Sequence, residues 1–166
     1  MEPIEIQVAQ AHQNFTFENL MQLYVHDFSE QWSDQARGEV DENGLFESYP
    51  LAPYWRDDGE HIPLLLWHGE YIVGFALLNR HSHAGRTLDR NMAEFFILRK
   101  HRRGGVGLAA AQAIVRRFPG VWEAAVARRN IGALHFWRKV ASAYAGVEET
   151  DIVSDDWNGP VLRFRA

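Results

Sequence analysis

The fold class this sequence predicts is α/β (α+β), with a sheet of six to seven strands flanked by helices. Three observations predict it. Short runs of branched and aromatic residues recur at strand length from Ile4 to Arg165. Between them, apolar residues fall at helical spacing near Phe17–Phe28, Leu108–Phe118 and Ala133–Val140. One strand, Met92–Leu98, runs directly into the basic glycine-rich turn Arg99–Gly107 and then into a helix.

In chain order, Ile4, Ile6 and Val8 alternate with polar residues, as in a strand with one buried face. Asn14 or Thr16 can cap a helix in which Phe17, Leu20, Met21, Tyr24, Val25 and Phe28 form an apolar stripe. From Ser29 to Gly59 the pattern fails, broken by Gly38, Asn43-Gly44, Pro50, Pro53 and Asp58-Gly59. Trp32, Phe46, Tyr49, Tyr54 and Trp55 are interleaved with acids there. Ile62–Trp67 and Tyr71–Leu78 flank His68-Gly69-Glu70 and read as a hairpin, with Gly74 marking a bulge or a close backbone approach. A polar loop, Asn79–Arg90, carries His81 and His83. After the glycine turn and its helix come a strand at Val121–Ala127, a helix capped by Asn130, and closing strands at Tyr144–Val147 and Gly159–Arg165.

With 166 residues, no repeat and no long linker, the chain is expected to form a single domain over residues 1–166. A net charge of −5 argues against a nucleic-acid partner, because phosphate contacts need a basic face. The absence of cysteine removes disulfides, thiolate nucleophiles and cysteine-bound metals, and no metal is expected. No apolar stretch resembles a signal peptide or a membrane span, so a cytoplasmic monomer or homodimer is expected. Acids crowd residues 27–60 and bases crowd 99–139. The acids either draw in a cationic substrate or are simply solvated.

The glycine turn carries the first chemical clue. Glycines admit a ligand close to the backbone, and a helix N-terminus offers free N–H groups and a favourable dipole to an anion. Arg99, Lys100, His101, Arg102 and Arg103 add charge that suits a pyrophosphate. Gly105-x-Gly107-x-x-Ala110 matches a dinucleotide fingerprint, but Arg128-Arg129 stand where that fingerprint wants an acid. Those arginines keep an NADP-dependent reductase open as an alternative.

Arg102-x-x-Gly105-x-Gly107 resembles the acyl-CoA-binding motif of the GCN5-related N-acetyltransferases (GNAT), and Asn130-Ile131-Gly132-Ala133-x-x-Phe136-Trp137 resembles that family's later helical segment. The turn also follows the fourth strand, as in that family, and not the first. The resemblance implies the GNAT fold: a mixed, mostly antiparallel sheet whose fourth strand, turn and following helix bind CoA. It implies acetyl-CoA as acyl donor, held by amides of Arg102, Arg103, Gly104, Gly105, Val106, Gly107, Leu108 and Ala109. The strand Phe95, Phe96, Ile97, Leu98 would pair with the pantetheine arm, and Asn130, Ala133, Phe136 and Trp137 would line it. Asn130 has an equally simple role as a helix cap.

The implied activity is acetyl transfer to a primary amine of a small molecule or peptide by direct attack on the thioester. Glu94, the only carboxylate on the central strand, is the preferred base, with substrate contact or a structural role as its alternatives. His81 and His83 are further candidate bases. Trp137 stands where the family commonly places a tyrosine acid, and an indole cannot protonate a thiolate. Tyr144 or Tyr24 could replace it, or the thiolate leaves unassisted. A non-catalytic acyl-CoA-sensing module is the rival reading.

Overall fold

The computed structural model describes residues 2–166. Among the described residues seven strands form one sheet: β1 (Ile4–Val8), β2 (Ile62–His68), β3 (Tyr71–Asn79), β4 (Arg90–Ile97), β5 (Val121–Ala125), β6 (Ala145–Val153) and β7 (Asn158–Arg165). Their spatial order is β1-β2-β3-β4-β5-β7-β6. Three α-helices accompany them: α1 (Asn14–Ser29), α2 (Val106–Arg117) and α3 (Ile131–Ala141). None of the described helices is long and apolar enough to cross a membrane.

Every strand pair is antiparallel except β4 with β5. A parallel pair needs a crossover connection, and α2 supplies it. β4 and β5 pair only at Arg90–Trp122 and Asn91–Glu123, so from Met92 onward the two strands part company. The sheet thereby opens beside the second half of β4.

A bulge decides which way that half of β4 faces. Leu78 lies opposite Met92 and Leu77 opposite Glu94, which leaves Ala93 without a partner. An extra residue reverses the alternation of side chains that follows it. Phe95 and Ile97 consequently join one core cluster with Met92, whereas Ala93 and Phe96 join the other. Glu94, two residues before Phe96, shares its face. A second irregularity in β3 leaves Val73 unpaired against β2. There Gly74 comes so close to β4 that a Cβ would lie 2.0 Å from the Phe96 carbonyl oxygen, so the bulge and the close approach are both present.

The two faces have separate cores. Phe17, Leu20 and Met21 of α1 pack on Leu65, Phe75, Leu77 and Phe96. Ala110, Ala111, Ile114 and Val115 of α2, with Trp137 and Val140 of α3, pack on Leu64, Leu66, Ala76, Trp122 and Leu162. Side chains from α1 also hold down the irregular 30–60 segment. Gln22 exchanges two hydrogen bonds with the backbone of Phe46, at 3.1 and 2.9 Å, and Trp55 Nε1 donates to Asn14 Oδ1 at 2.7 Å.

The closing strand expected at Tyr144–Val147 extends as β6 to Val153. Its residues are nearly all exposed because β6 is the sheet edge, so no apolar alternation marks it. Ion pairs secure that edge instead, joining Arg86 to Glu148, Arg138 to Glu149 and Arg128 to Asp151.

Candidate active site

The turn between β4 and α2 is shaped by two left-handed residues. Gly105, the N-cap of α2, has φ +83°, and Arg103 has φ +67°, a conformation that glycine adopts more cheaply. The first helical backbone bond runs from the Ala109 amide to the Gly105 carbonyl at 3.0 Å. Among the described residues, the amides from Arg103 through Leu108 have no acceptor. Those of Gly105 to Leu108 are the four donors a helix N-terminus leaves open, and the turn adds the amides of Arg103 and Gly104.

Arg102 behaves differently from the expectation that its amide joins this group. Its N–H donates to the Arg99 carbonyl at 3.2 Å. Its guanidinium donates to the Ile97 carbonyl at 2.8 Å and to Asp27 at 2.6 Å, which braces the turn from behind. Arg99 shares Asp27, whose carboxyl is held below its usual range by the two arginines despite partial burial. Asp27 lies on α1, so this pair of bridges ties the glycine turn to the opposite layer. Ala109 is likewise engaged through its amide, in the first bond of α2.

Phe95, Phe136 and Trp137 meet on the helix side of the gap. Phe95 stacks on Phe136 with centroids 5.6 Å apart and meets Trp137 edge-on at 5.3 Å. A Cβ on Gly107 would lie 3.4 Å from the Phe136 ring and 3.6 Å from Ile97, so α2, α3 and β4 touch here. Asn130 Oδ1 accepts the Ala133 amide at 3.1 Å and caps α3. Phe96 is buried on the α1 side, and the Leu98 amide donates to the Val73 carbonyl at 2.8 Å. Phe96, two residues earlier and opposite Phe75, is in the same phase of the ladder, so its backbone also faces β3, and of this pair only the side chain of Leu98 remains for a ligand.

On the α1 side, the Tyr24 hydroxyl donates to Glu94 Oε2 at 2.7 Å. Tyr49 also bears on this carboxylate, and Tyr54 on Tyr49. Glu94 keeps a partly open face, yet the protein around it is dense enough for burial to push its pKa up to about 7, against the downward pull of both tyrosines. Burial and the neighbouring carboxylate raise Tyr24 well above the usual phenol range, and burial pushes Tyr54 up to about 12. Burial raises Tyr49 as well. All three phenols are therefore neutral donors at ordinary pH. A pocket of about 190 Å³ next to Tyr49 is lined by Glu18, Asn19, Met21, Gln22, Leu45, Ser48 and Leu51.

Tyr144 is not part of this constellation. It stacks on Phe164, centroids 5.2 Å apart, within the cluster on the α2–α3 face, whereas Glu94 and its tyrosines lie on the α1 face. The sheet itself separates them. His81 and His83 face Asp156 in the turn between β6 and β7, and neither bonds Glu94. Several acids of the 27–60 segment have partners within the protein: Asp27 on Arg99 and Arg102, Asp34 on Arg129, Asp58 on His61.

The family model described as Acetyltransferase (GNAT) family matches residues 17–141. The chain belongs to this family. Solved structures share the fold at low identity. AAC(6')-Ib in complex with ribostamycin and coenzyme A superposes with a TM-score of 0.69 at 11% identity, covering 99% of this chain and 94% of that one. The PaiA N-acetyltransferase of Thermoplasma acidophilum, in complex with coenzyme A, gives 0.57 at 12%, covering 98% and 99%. An acetyltransferase from Thermus thermophilus gives 0.62 at 14%, covering 99% and 97%. No protein of curated function matches the chain in sequence.

Membership in the GNAT family accords with the sheet order, the parallel β4–β5 pair and the open-amide turn between β4 and α2. In the sequence the acidic and aromatic residues of the 27–60 segment point to a cationic or aromatic amine, but nothing there places any of them against Glu94. Tyr49 and Tyr54 reach Glu94 only through the path of that irregular segment, which no periodicity reveals.

Proposed function

We propose that the protein is an N-acetyltransferase that uses acetyl-CoA to acetylate a primary amine of a small molecule. The observation that carries the reading is Glu94, a carboxylate of raised pKa on the strand beside the open gap, with neutral phenols around it. The family match and the CoA-bound structural neighbours support the choice of donor.

The unclaimed amides of Arg103 to Leu108 suit a pyrophosphate, and the half of β4 released from β5 suits an extended amide-bearing arm. Bound acetyl-CoA supplies an activated acyl group as a thioester. Backbone N–H groups on this half of β4 can donate to the thioester oxygen as charge develops on it. Glu94 accepts the proton of the attacking amine, directly or through a water. As the new N–C bond forms and the C–S bond breaks, the thiolate takes a proton from Tyr24 or leaves unassisted. Either route leaves an amide and free CoA. The pocket beside Tyr49, with Glu18 on its wall, suits an amine that carries further positive or polar groups.

The deciding experiment measures free-thiol release from acetyl-CoA against a panel of polyamines, amino sugars, aromatic amines and peptides, alongside CoA binding by calorimetry. Turnover with one amine class is expected. CoA binding without turnover on any amine would replace the enzyme with an acyl-CoA sensor, and failure to bind CoA would overturn the reading.

A further inference from the structure

Away from Glu94, two distant segments bring three metal-ligating side chains together. His81 and His83 lie on the loop between β3 and β4, and Asp156 lies in the turn between β6 and β7. His81 Nε2 and His83 Nδ1 approach the same oxygen, Asp156 Oδ2, at 3.4 and 3.1 Å, and one ligand atom from each residue lies within 4.8 Å of the others. From this convergence we propose that His81, His83 and Asp156 bind a divalent transition metal of the zinc class, clipping the β3–β4 loop to the β6–β7 turn.

The spacing fits such an ion. Tetrahedral zinc with bonds of about 2.0–2.1 Å separates neighbouring ligand atoms by roughly 3.3 Å. Two imidazole nitrogens with one carboxylate oxygen favour zinc, cobalt or nickel over magnesium or calcium, which prefer all-oxygen shells. His81 and Asp156 are half exposed, so water can reach an open fourth position.

The ligands are also held before any ion arrives. The Asn79 side chain accepts the His81 amide at 3.1 Å. Between the two histidines, Ser82 donates to the buried Glu123 carboxylate at 2.7 Å, and its oxygen receives the amides of Ala84 and Arg86. His83 is sandwiched edge-on against His81 and in tilted contact with Trp157, centroids 4.6 and 4.4 Å apart. Such support keeps the donors from collapsing onto separate partners, as ligand-orienting contacts do in metal sites. A His-x-His pair is a weak metal signal until a third ligand joins it, and here that ligand lies 73 residues later.

The test titrates zinc chloride into chelator-treated protein by calorimetry and repeats it with cobalt(II), followed by visible absorption. One equivalent should bind in the micromolar range or tighter. The melting temperature should rise by about 5–10 °C at a hundredfold excess over Kd. His81→Gln and Asp156→Asn should each weaken zinc by about tenfold or more. His61→Gln, which removes the other histidine–carboxylate pair, should leave zinc affinity unchanged. His81 is exposed, so its variant folds and keeps the comparison meaningful. Absence of one-to-one binding, or equal affinity in the His81 and Asp156 variants, would overturn the site and leave hydrogen bonding as the whole role of the cluster.

Discussion

Tyr24 and Glu94, 70 positions apart in the chain, share a hydrogen bond of 2.7 Å from the hydroxyl on α1 to the carboxylate on β4. The bond crosses from one layer to the sheet and fixes the carboxylate at the place where β4 leaves β5. It also ties the proposed base to a neutral proton donor. The bond exists because the Ala93 bulge turns Glu94 toward α1.

Glu94→Gln should lower turnover by about 10²–10⁴-fold while changing CoA affinity less than about threefold, since removal of a general base leaves binding intact. Steady-state kinetics with calorimetric CoA binding checks it. Unaltered turnover removes Glu94 from the base role.

The raised pKa of Glu94 has a pH signature in both rate and stability. The acidic limb of kcat/KM should show an apparent pKa near 7, absent from Glu94→Gln. A carboxyl raised in the fold holds its proton there longer than in the unfolded chain. Its contribution to stability is therefore fully present below the ordinary glutamate range and is lost as pH rises through about 7. Unfolding free energies from denaturant titrations should fall, from pH 4.5 to 8, by on the order of 2–3 kcal/mol more in the native chain than in Glu94→Gln.

Tyr24→Phe removes a hydrogen bond that favours the charged carboxylate, so the acidic limb should move to still higher pH. Above pH 8 the variant should lose roughly 1.5–3 kcal/mol of stability, as expected for a bond to a charged group. A pH–rate profile and urea unfolding read the two effects. Tyr144→Phe should leave the profile in place, because that ring sits on the other face of the sheet.

Gly105→Val forces a β-branched residue to φ +83° and places bulk at the open amides. CoA binding should be lost, and retained affinity would refute the cradle. Arg103→Gly is the counterpart. It relieves a left-handed arginine worth about 1–3 kcal/mol, offset by about 0.5–1 kcal/mol of glycine entropy, and should raise the melting temperature slightly.

Asp27→Asn cuts the link from α1 to Arg99 and Arg102. Stability should change by only about 1 kcal/mol, since Arg99 is largely exposed and Arg102 keeps its bond to the Ile97 carbonyl. CoA affinity should fall several-fold as the turn loosens. Equal affinity in the variant would show that the Ile97 carbonyl alone holds Arg102 in place.

Much of this fold is legible in one dimension. The hairpin at Ile62–Leu78, the stripe of α1 and the glycine turn each carry local signals of periodicity or backbone need. β6 is not legible, because an exposed edge strand has no buried face to impose alternation. The same holds for Tyr49 and Tyr54, which sit in a segment without periodicity and are placed by Gln22 and Asn14 reaching from α1.

By itself, the order of residues determined the family, the strand–turn–helix at Met92–Phe118 and the candidacy of Glu94, since these depend on neighbours within a few positions. Only the tertiary structure decided which tyrosine meets Glu94, that the Arg102 amide is spent on Arg99, and that His81 and His83 converge on Asp156. Each of those outcomes turns on a long-range event: a one-residue bulge that reverses a strand's faces, or a loop closed across the sheet. A side chain's partners follow from the direction in which the folded backbone aims it, and local sequence does not carry that direction across a bulge or an irregular segment.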